Sequence, residues 1–452
     1  MKRKITEEIA TFITNLTFKD LPMQVIEAIK KYIVDTIACA LAATNERAVK
    51  LLRELVLELG GRKEATLWGD GRKVPSPSAA RVNAFMSDFY AFNESHFGSF
   101  AHICGVTVPV AFAMAEREES DGKELITSIA VGYEMAARIG SAIAPSYYSE
   151  KGFHNSIVSV LGGVIAASKL LKLDTERTLH AVSIAATSIG GLRGSIYTMM
   201  RQYHACNSAG IAVLSALLAT KDFKGARDIL EREKGYCDVF SSRVRLTEIL
   251  KDLGKKWHVL EGAVKFYPGC HNNHGAIETT LTLVKKYDIK PEQVETILIA
   301  GNPMHIDVNL IYEPNCCEEA LFSLPYMVAA CIHDREFTLR QLQLDKICDP
   351  SIRTLQKRIK MVKDPSFMRK YGYGGQGAVS ISIKTKDGNV YTECTEPSVS
   401  YIPYVSWERI ERKYYDLTQA SISEDKAKKV LQICRSLEKQ SSISELIREI
   451  IA

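Results

Sequence analysis

Helical stretches without a polar face set the strongest limit on what this chain can fold into. Ile157–Leu171, Thr175–Ile189 and Ser208–Thr220 are apolar almost all round. A helix of that kind has no side to give to water and belongs inside a bundle. The longest uncharged runs, Asn155–Ser168 and Ala205–Thr220, fall short of the roughly 18 apolar residues that a bilayer span needs, and they are rich in Ala, Gly and Ser. They read as core helices, with no role at a membrane. Gly162-Gly163, Ala166-Ala167 and Ala185-Ala186 would let neighbouring helices approach closely. Around them, Ile5–Leu16 and Pro22–Leu41 carry apolar residues at three- and four-residue spacing, and Asp121 with Glu124 marks a helix start before Leu125–Ile143. The first half of the chain therefore predicts a large all-α domain.

The pattern changes after about Gly262. Val294–Ala300 and Ala378–Lys384 alternate and are β-branched, and the second leads through Asp387-Gly388 into Val390–Glu393, a hairpin signature. Helical stretches such as Glu318–His333 lie between the strands, and Asp425–Glu438 and Ile443–Ile450 are helical again. A chain of 452 residues is too long for one small core. The expected organisation is mainly α: a discontinuous helical domain over residues 1–262 and 404–452, and a smaller α+β lid domain over residues 263–403.

Charge and cysteine usage exclude several functions. There are 58 basic and 53 acidic residues, a net charge of +5 with no basic arm, so no nucleic-acid partner is expected. The 11 cysteines are odd in number and dispersed, with only Cys316-Cys317 adjacent. That is neither a disulfide framework nor a clustered thiolate set for zinc or an iron–sulfur centre, which counts against an aconitase-type dehydratase. The N-terminal Met1-Lys-Arg-Lys-Ile-Thr-Glu-Glu enters an amphipathic helix without a signal-peptide apolar stretch, so a cytoplasmic protein is expected.

Five segments concentrate chemistry. Gly71–Asn83 leads into Asp88–His96 and His102. Gly152-Phe-His154 stands just before an apolar helix, where the positive end of the helix dipole favours a neutral imidazole and a bound anion. Met199-Met-Arg201-Gln-Tyr-His204 precedes another, and Arg suits bidentate carboxylate binding. Lys265–His274 packs Lys265, Cys270, His271 and His274 into ten residues. No second Cys/His cluster is near it in sequence, so no metal is assigned. Finally, Tyr326 opens a helix after Ala320–Pro325. Each segment alone also reads as a capped loop, a surface turn or a satisfied structural histidine. As a set, without a phosphate loop or nucleophile elbow, they form an acid–base inventory for a carboxylated substrate and no cofactor.

In order along almost the whole chain, these segments resemble the MmgE/PrpD family. Gly71–Asn83, His102, Gly152–His154, Arg201–His204, Lys265–His274 and Phe322–Tyr326 fall where family members carry their motifs, and Thr385-Lys-Asp-Gly and Ser406-Trp-Glu are similar too. The resemblance implies a helical domain with a smaller lid domain, an active site in the cleft between them, and a homodimer. It implies His102, His154, Lys265 and Tyr326 as catalytic residues, meeting in one pocket. Ser95, Arg201, His204, His271 and His274 are the expected substrate-binding positions. The family's opening aspartate falls on Ala91, its next acids on Asn93 and Glu94, its threonine on Ser95, a lysine on Arg201, and a histidine of some members on Cys270. The expected activity is a 2-methylcitrate dehydratase-like lyase acting on a small polycarboxylate. The alternatives are a cis-aconitate-type decarboxylase, an iminodisuccinate-type epimerase, and a repurposed scaffold without catalysis.

Overall fold

The computed structural model describes residues 4–371, 377–396 and 400–452, and over them the fold is mainly α. The first three residues of the N-terminal stretch lie outside that description. One compact unit comprises Met1–Phe89, Asn93–Val264 and Tyr401–Ala452; the other comprises Tyr90–Phe92 and Lys265–Ser400. Among the described residues, no helix is long and apolar enough to cross a membrane.

Counting helices of eight residues or more, the first unit contains α1 (Ile5–Asn15), α2 (Met23–Ala42), α3 (Arg47–Leu59), α4 (Ser76–Asp88), α5 (Cys104–Arg117), α6 (Gly122–Ile143), α7 (Ser156–Leu170), α8 (Thr175–Ser188) and α9 (Met200–Ala219). Two short antiparallel ladders join them: β1 (Ala65–Thr66) with β2 (Lys73–Val74), and β3 (Ser95–His96) with β4 (Gly262–Ala263). The start of α6 follows its sequence signal. Asp121 accepts the Glu124 N–H at 2.8 Å, and Glu124 accepts the Asp121 N–H at 3.0 Å.

Helix α7 is central, with every residue buried except Lys169, whose ammonium reaches the Ile13 and Thr14 carbonyls at the end of α1. The other two stretches expected to be buried all round are not. Helix α8 exposes Glu176, Arg177, Thr187 and Ser188, so it has an outer face. Helix α9 begins at Met200 rather than Ser208, because nothing between them breaks a helix, and it exposes Leu214 and Leu218.

Glycines set the spacing of the central helices. A Cβ on Gly132 of α6 would lie 2.5 Å from the Gly162 carbonyl oxygen of α7, and one on Gly162 would lie 2.3 Å from Thr107 Oγ1 of α5. A second device is the buried Glu134–Arg138 pair of α6, at 2.6 Å. The Arg138 guanidinium also donates to the carbonyls of Ile249, Lys251 and Lys256, while Glu134 accepts the Val259 N–H. These bonds shape the segment that leads to β4.

The second unit is built on a four-stranded sheet in the order β6-β5-β7-β8, formed by β5 (Val294–Gly301), β6 (Ile359–Lys363), β7 (Val379–Thr385) and β8 (Val390–Thr395). Strand β5 runs parallel to β6 and antiparallel to β7, and β7–β8 is the Asp-Gly hairpin, with Gly388 at φ 92°. Helices α10 (His274–Lys286) and α11 (Leu324–Asp334) belong to the same unit. The helix expected over Glu318–His333 is broken at Leu321–Ser323, where Ser323 caps α11 by accepting the Tyr326 N–H. Helices α12 (Trp407–Thr418) and α13 (Glu424–Arg435) return to the first unit, where Lys413 pairs with buried Asp35 of α2 at 2.6 Å.

Because backbone and side chain atoms leave no room at the α6–α7 crossing, Gly132→Val should lower stability by about 1–3 kcal/mol. A urea melt followed by circular dichroism checks this. An unshifted midpoint would mean that the helices can separate without cost.

Candidate active site

Helices α5, α7 and α9 pack against one another, and each begins beside an ionisable side chain. His102 precedes α5 by two residues, His154 precedes α7 by two residues, and Arg201 and His204 lie in the first turns of α9. The earlier start of α9 puts Arg201 and His204 within the helix rather than ahead of it.

The His102 ring is oriented by its own neighbours. Its Nδ1 lies 2.7 Å from the Glu94 carbonyl oxygen and 3.2 Å from Ser95 Oγ. A carbonyl can only accept, so Nδ1 carries the proton and the neutral ring has its lone pair on Nε2. The Glu94 side chain meanwhile accepts the N–H groups of Ile103 and Cys104 at 3.0 Å, capping α5. Full burial dominates those two bonds and pushes the Glu94 carboxyl up to about 8. Ser159 of α7 donates to the His102 carbonyl at 3.1 Å, which ties this loop to the second helix start.

His154 has the opposite tautomer. Its Nδ1 accepts the Ser156 N–H at 3.2 Å, so in the neutral ring Nε2 carries the proton. Its backbone N–H donates to the Gly191 carbonyl, and its ring lies 4.7 Å from that of His204. Burial pulls the His154 pKa well below its ordinary value, and positive charge on His204 and Arg201 acts in the same direction. Burial also lowers the His204 pKa, against the pull of the Leu192 carbonyl and Asp88. His204 Nε2 sits 3.0 Å from Ser195 Oγ.

Arg201 engages a carboxylate of the chain itself. Its Nη1 lies 3.0 Å from Asp88 Oδ2 and donates to the Asp88 carbonyl at 2.8 Å, and Asn93 Nδ2 donates to Asp88 Oδ1 at 3.1 Å. Arg201 and Asp88 are both buried. The helical unit thus holds Ser95 against His102 and His154 against His204, at the starts of packed helices, and it adds Ser156, Ser159 and Ser195, which were not singled out in the sequence. Asp88 and Arg201 are 113 positions apart, and no local pattern couples them.

The α+β unit holds the other candidates. Buried Lys265 donates to the carbonyls of Ala91 and Gly269. Ala91, in the place of the family's aspartate, has φ 50°, a left-handed backbone conformation unusual for a residue with a Cβ. The rings of His271 and His274 lie 4.5 Å apart, with Tyr267 perpendicular to His274 at 5.5 Å. Tyr326 lies in the first turn of α11, fully buried, and its hydroxyl donates to the Gln341 carbonyl. Burial raises its pKa, so this phenol keeps its proton.

The sequence model of the MmgE/PrpD N-terminal domain matches residues 7–248, and that of the MmgE/PrpD C-terminal domain matches residues 267–439. A cis-aconitate decarboxylase of Aspergillus terreus (strain NIH 2624 / FGSC A1156) is 25% identical, over 99% of this chain and 96% of its own length. The cis-aconitate decarboxylase of Homo sapiens is 24% identical, over 99% of this chain and 94% of its own. That of Mus musculus is also 24% identical, over 99% and 93%.

A histidine held neutral by burial ties stability to pH with a definite sign. Its folded pKa lies below its unfolded value near 6.5, so as pH falls through that value the unfolded chain takes up a proton that the folded chain does not. Stability should therefore fall on acidification below about pH 6.5, by up to about 1.4 kcal/mol per pH unit for His154 alone. Urea midpoints of wild type and His154→Gln between about pH 5 and pH 7.5 should show a shallower acid slope in the variant. Identical slopes would mean that His154 is charged in the folded protein.

Proposed function

The chain belongs to the MmgE/PrpD family, and we propose that it is a lyase moving a proton at a carbon next to a carboxylate of a small polycarboxylate. The observation that carries this reading is the pair of opposed tautomers at neighbouring helix starts. His102 offers a lone pair at Nε2 because Glu94 holds the Nδ1 proton, and His154 offers an N–H at Nε2 because Ser156 occupies Nδ1. The first is suited to act as base. The second is suited to donate to a substrate oxygen.

In the dehydration reading, His102 Nε2 takes a proton from the carbon next to a carboxylate. The electron pair forms the carbon–carbon double bond as the carbon–oxygen bond to the hydroxyl breaks, His154 Nε2–H hydrogen-bonds that oxygen, and it leaves as water with the proton that the His102 imidazolium returns. In the helical unit, substrate carboxylates are assigned to His204 and Ser95; in the α+β unit, Lys265, His271 and His274 are proposed as carboxylate-binding positions. Arg201, already balanced by Asp88, is assigned to positioning α9 rather than to holding a substrate carboxylate alone. Tyr326 is given no proton to move, since its hydroxyl serves a backbone carbonyl.

A second reading, decarboxylation of a cis-aconitate-like acid, is favoured by the names of the relatives. There the bond from carbon to carboxylate breaks, and the carbon takes up a proton in its place. Incubating the enzyme with methylcitrate, citrate, cis-aconitate and iminodisuccinate, while following ultraviolet absorbance and CO2, separates the two. Dehydration is expected to raise absorbance from the new double bond without CO2. Release of CO2 would select decarboxylation, and deuterium exchange without either would select epimerisation. His102→Asn should lower kcat by about 10²–10⁴-fold while the circular dichroism spectrum is retained; wild-type turnover by that variant would remove His102 from the mechanism.

We also propose that the protein is a homodimer. Tyr203, Leu214 and Leu218 are exposed along one face of α9, beside Met199 and Met200, a stripe whose apolar character is explained by a second copy covering it. Leu214→Glu with Leu218→Glu should convert a dimer to a monomer in sedimentation equilibrium. A double variant that stays dimeric would place the interface elsewhere.

A further inference from the structure

A cluster of ligating side chains stands outside the groups just assigned, where β3 meets β4. His96 of β3 pairs with Gly262 of β4 in the ladder, and His258 and Glu261 lie on the 3₁₀ turn His258–Glu261 that runs directly into β4. Side chains three residues apart eclipse on a 3₁₀ turn, so His258 and Glu261 point the same way, and their Nδ1 and Oε2 are 3.0 Å apart. The His96 ring lies 6.2 Å from the His258 ring, and its Nε2 is 3.9 Å from the same Glu261 oxygen.

We propose that His96, His258 and Glu261 form a binding site for a divalent transition-metal ion of the zinc class. The ligand atoms of the three side chains lie within 4.8 Å of one another. Donors around a tetrahedral zinc at about 2.0–2.2 Å stand roughly 3.3 Å apart, a spacing that the two observed distances bracket. Two imidazoles and one carboxylate make a zinc-type set that leaves a fourth position for water.

Independent support comes from His96. Its side chain is wholly buried, and its Nε2 has no hydrogen-bond partner among the described residues. An imidazole nitrogen removed from water in that way is costly, and it faces the only two other ligating groups in the cluster. Its far side has the orienting partner that metal-bound histidines use: Ser99 Oγ is 2.9 Å from Nδ1. Without metal, the Ser99 N–H holds the ring with its proton on Nε2. With metal, the ring switches tautomer: Nδ1 carries the proton and donates it to Ser99 Oγ, the Ser99 N–H gives up its bond to the ring, and the Nε2 lone pair goes to the ion. Glu261 binds through one oxygen, since Lys256 holds the other at 2.7 Å. An entry path exists, because Glu261 also lines a cavity of about 770 Å³ with Glu27, Phe97 and Tyr401.

The site is structural, and its effect follows from the chain on either side. The two strands it joins lie far apart in the sequence, Ser95 pairing with Ala263 and His96 with Gly262, and share only those two residue pairs. Ser95 precedes His96 and contacts His102, while Ala263 stands two residues before Lys265. Metal would fasten together the segments that present two of the groups assigned to catalysis.

The test uses full-length, tag-free protein stripped with EDTA and titrated with Co²⁺, followed by Zn²⁺ competition and thermal melts. One Co²⁺ per chain is expected, with a visible spectrum lacking thiolate charge transfer, and a higher Tm on metal addition. His258→Ala and Glu261→Gln, chosen because both residues are partly exposed, should each weaken Co²⁺ binding at least about tenfold and remove the Tm shift while circular dichroism is retained. Absence of stoichiometric binding by the wild type would overturn the proposal, and so would unchanged affinity in the double variant or a thiolate spectrum.

Discussion

Asp88 and Arg201 hold opposite charges out of water where one helix ends and another begins, and the polar end of the helical unit is arranged around them. Removing either charge from water is expensive, and a lone buried partner would not be tolerated. The cost is offset because neither group is left half satisfied. Arg201 also donates to the Asp88 carbonyl, and Asn93 supplies a donor to the carboxylate. The next residue, Gln202, donates to the Phe89 carbonyl, so the end of α4 and the start of α9 are joined by side chains and backbone together. His204 lies less than one turn further on, and that fixed start is what sets its ring against His154.

Burial beside this network decides the charge state of His154 and His204. Removal of the two rings from water makes imidazolium unfavourable, and the Arg201 guanidinium adds to this in the same direction. Burial thus serves proton removal from a carboxylate-bearing carbon, because His154 and His204 stay neutral. Glu94 shows the limit of the dipole argument. Its carboxyl caps α5 with two hydrogen bonds, yet burial outweighs them and raises its pKa to about 8. Its contribution to His102 is made by its backbone carbonyl, which the side chain's hold on α5 keeps in place.

The helical architecture was legible because it is written in local pattern. Asp121 and Glu124 announce a helix start, Asp387-Gly388 announces a hairpin, and the apolar run of α7 announces a buried helix; each depends on residues within a few positions. Leu214 and Leu218 were misread as core for a physical reason: an apolar side chain facing a neighbour helix and one facing solvent on the isolated chain look identical in sequence. The imidazoles at helix starts were legible as candidates, since His154 and His204 stand beside apolar runs. Their tautomers were not, because Ser156 and the Glu94 carbonyl act through geometry. Nor was the partner of Arg201: a cation suited to a carboxylate could be named, but Asp88 lies in a different helix, 113 residues away.

Ala91 joins these threads. The family resemblance puts an aspartate there, and its replacement removes a carboxylate, but the backbone of the position retains a task. With φ at 50°, the residue turns its carbonyl to the Lys265 ammonium, which Gly269 also accepts. The ammonium is buried and donates to both of these carbonyls, so the Ala91 backbone holds the lysine in place. Arg201, a cation in the place of the family's lysine, pairs with the buried carboxylate of Asp88. Within each unit, a position that departs from the family pattern still makes a buried polar contact, Ala91 through its backbone carbonyl and Arg201 through Asp88, so both substitutions keep the local structure while changing the chemistry on offer.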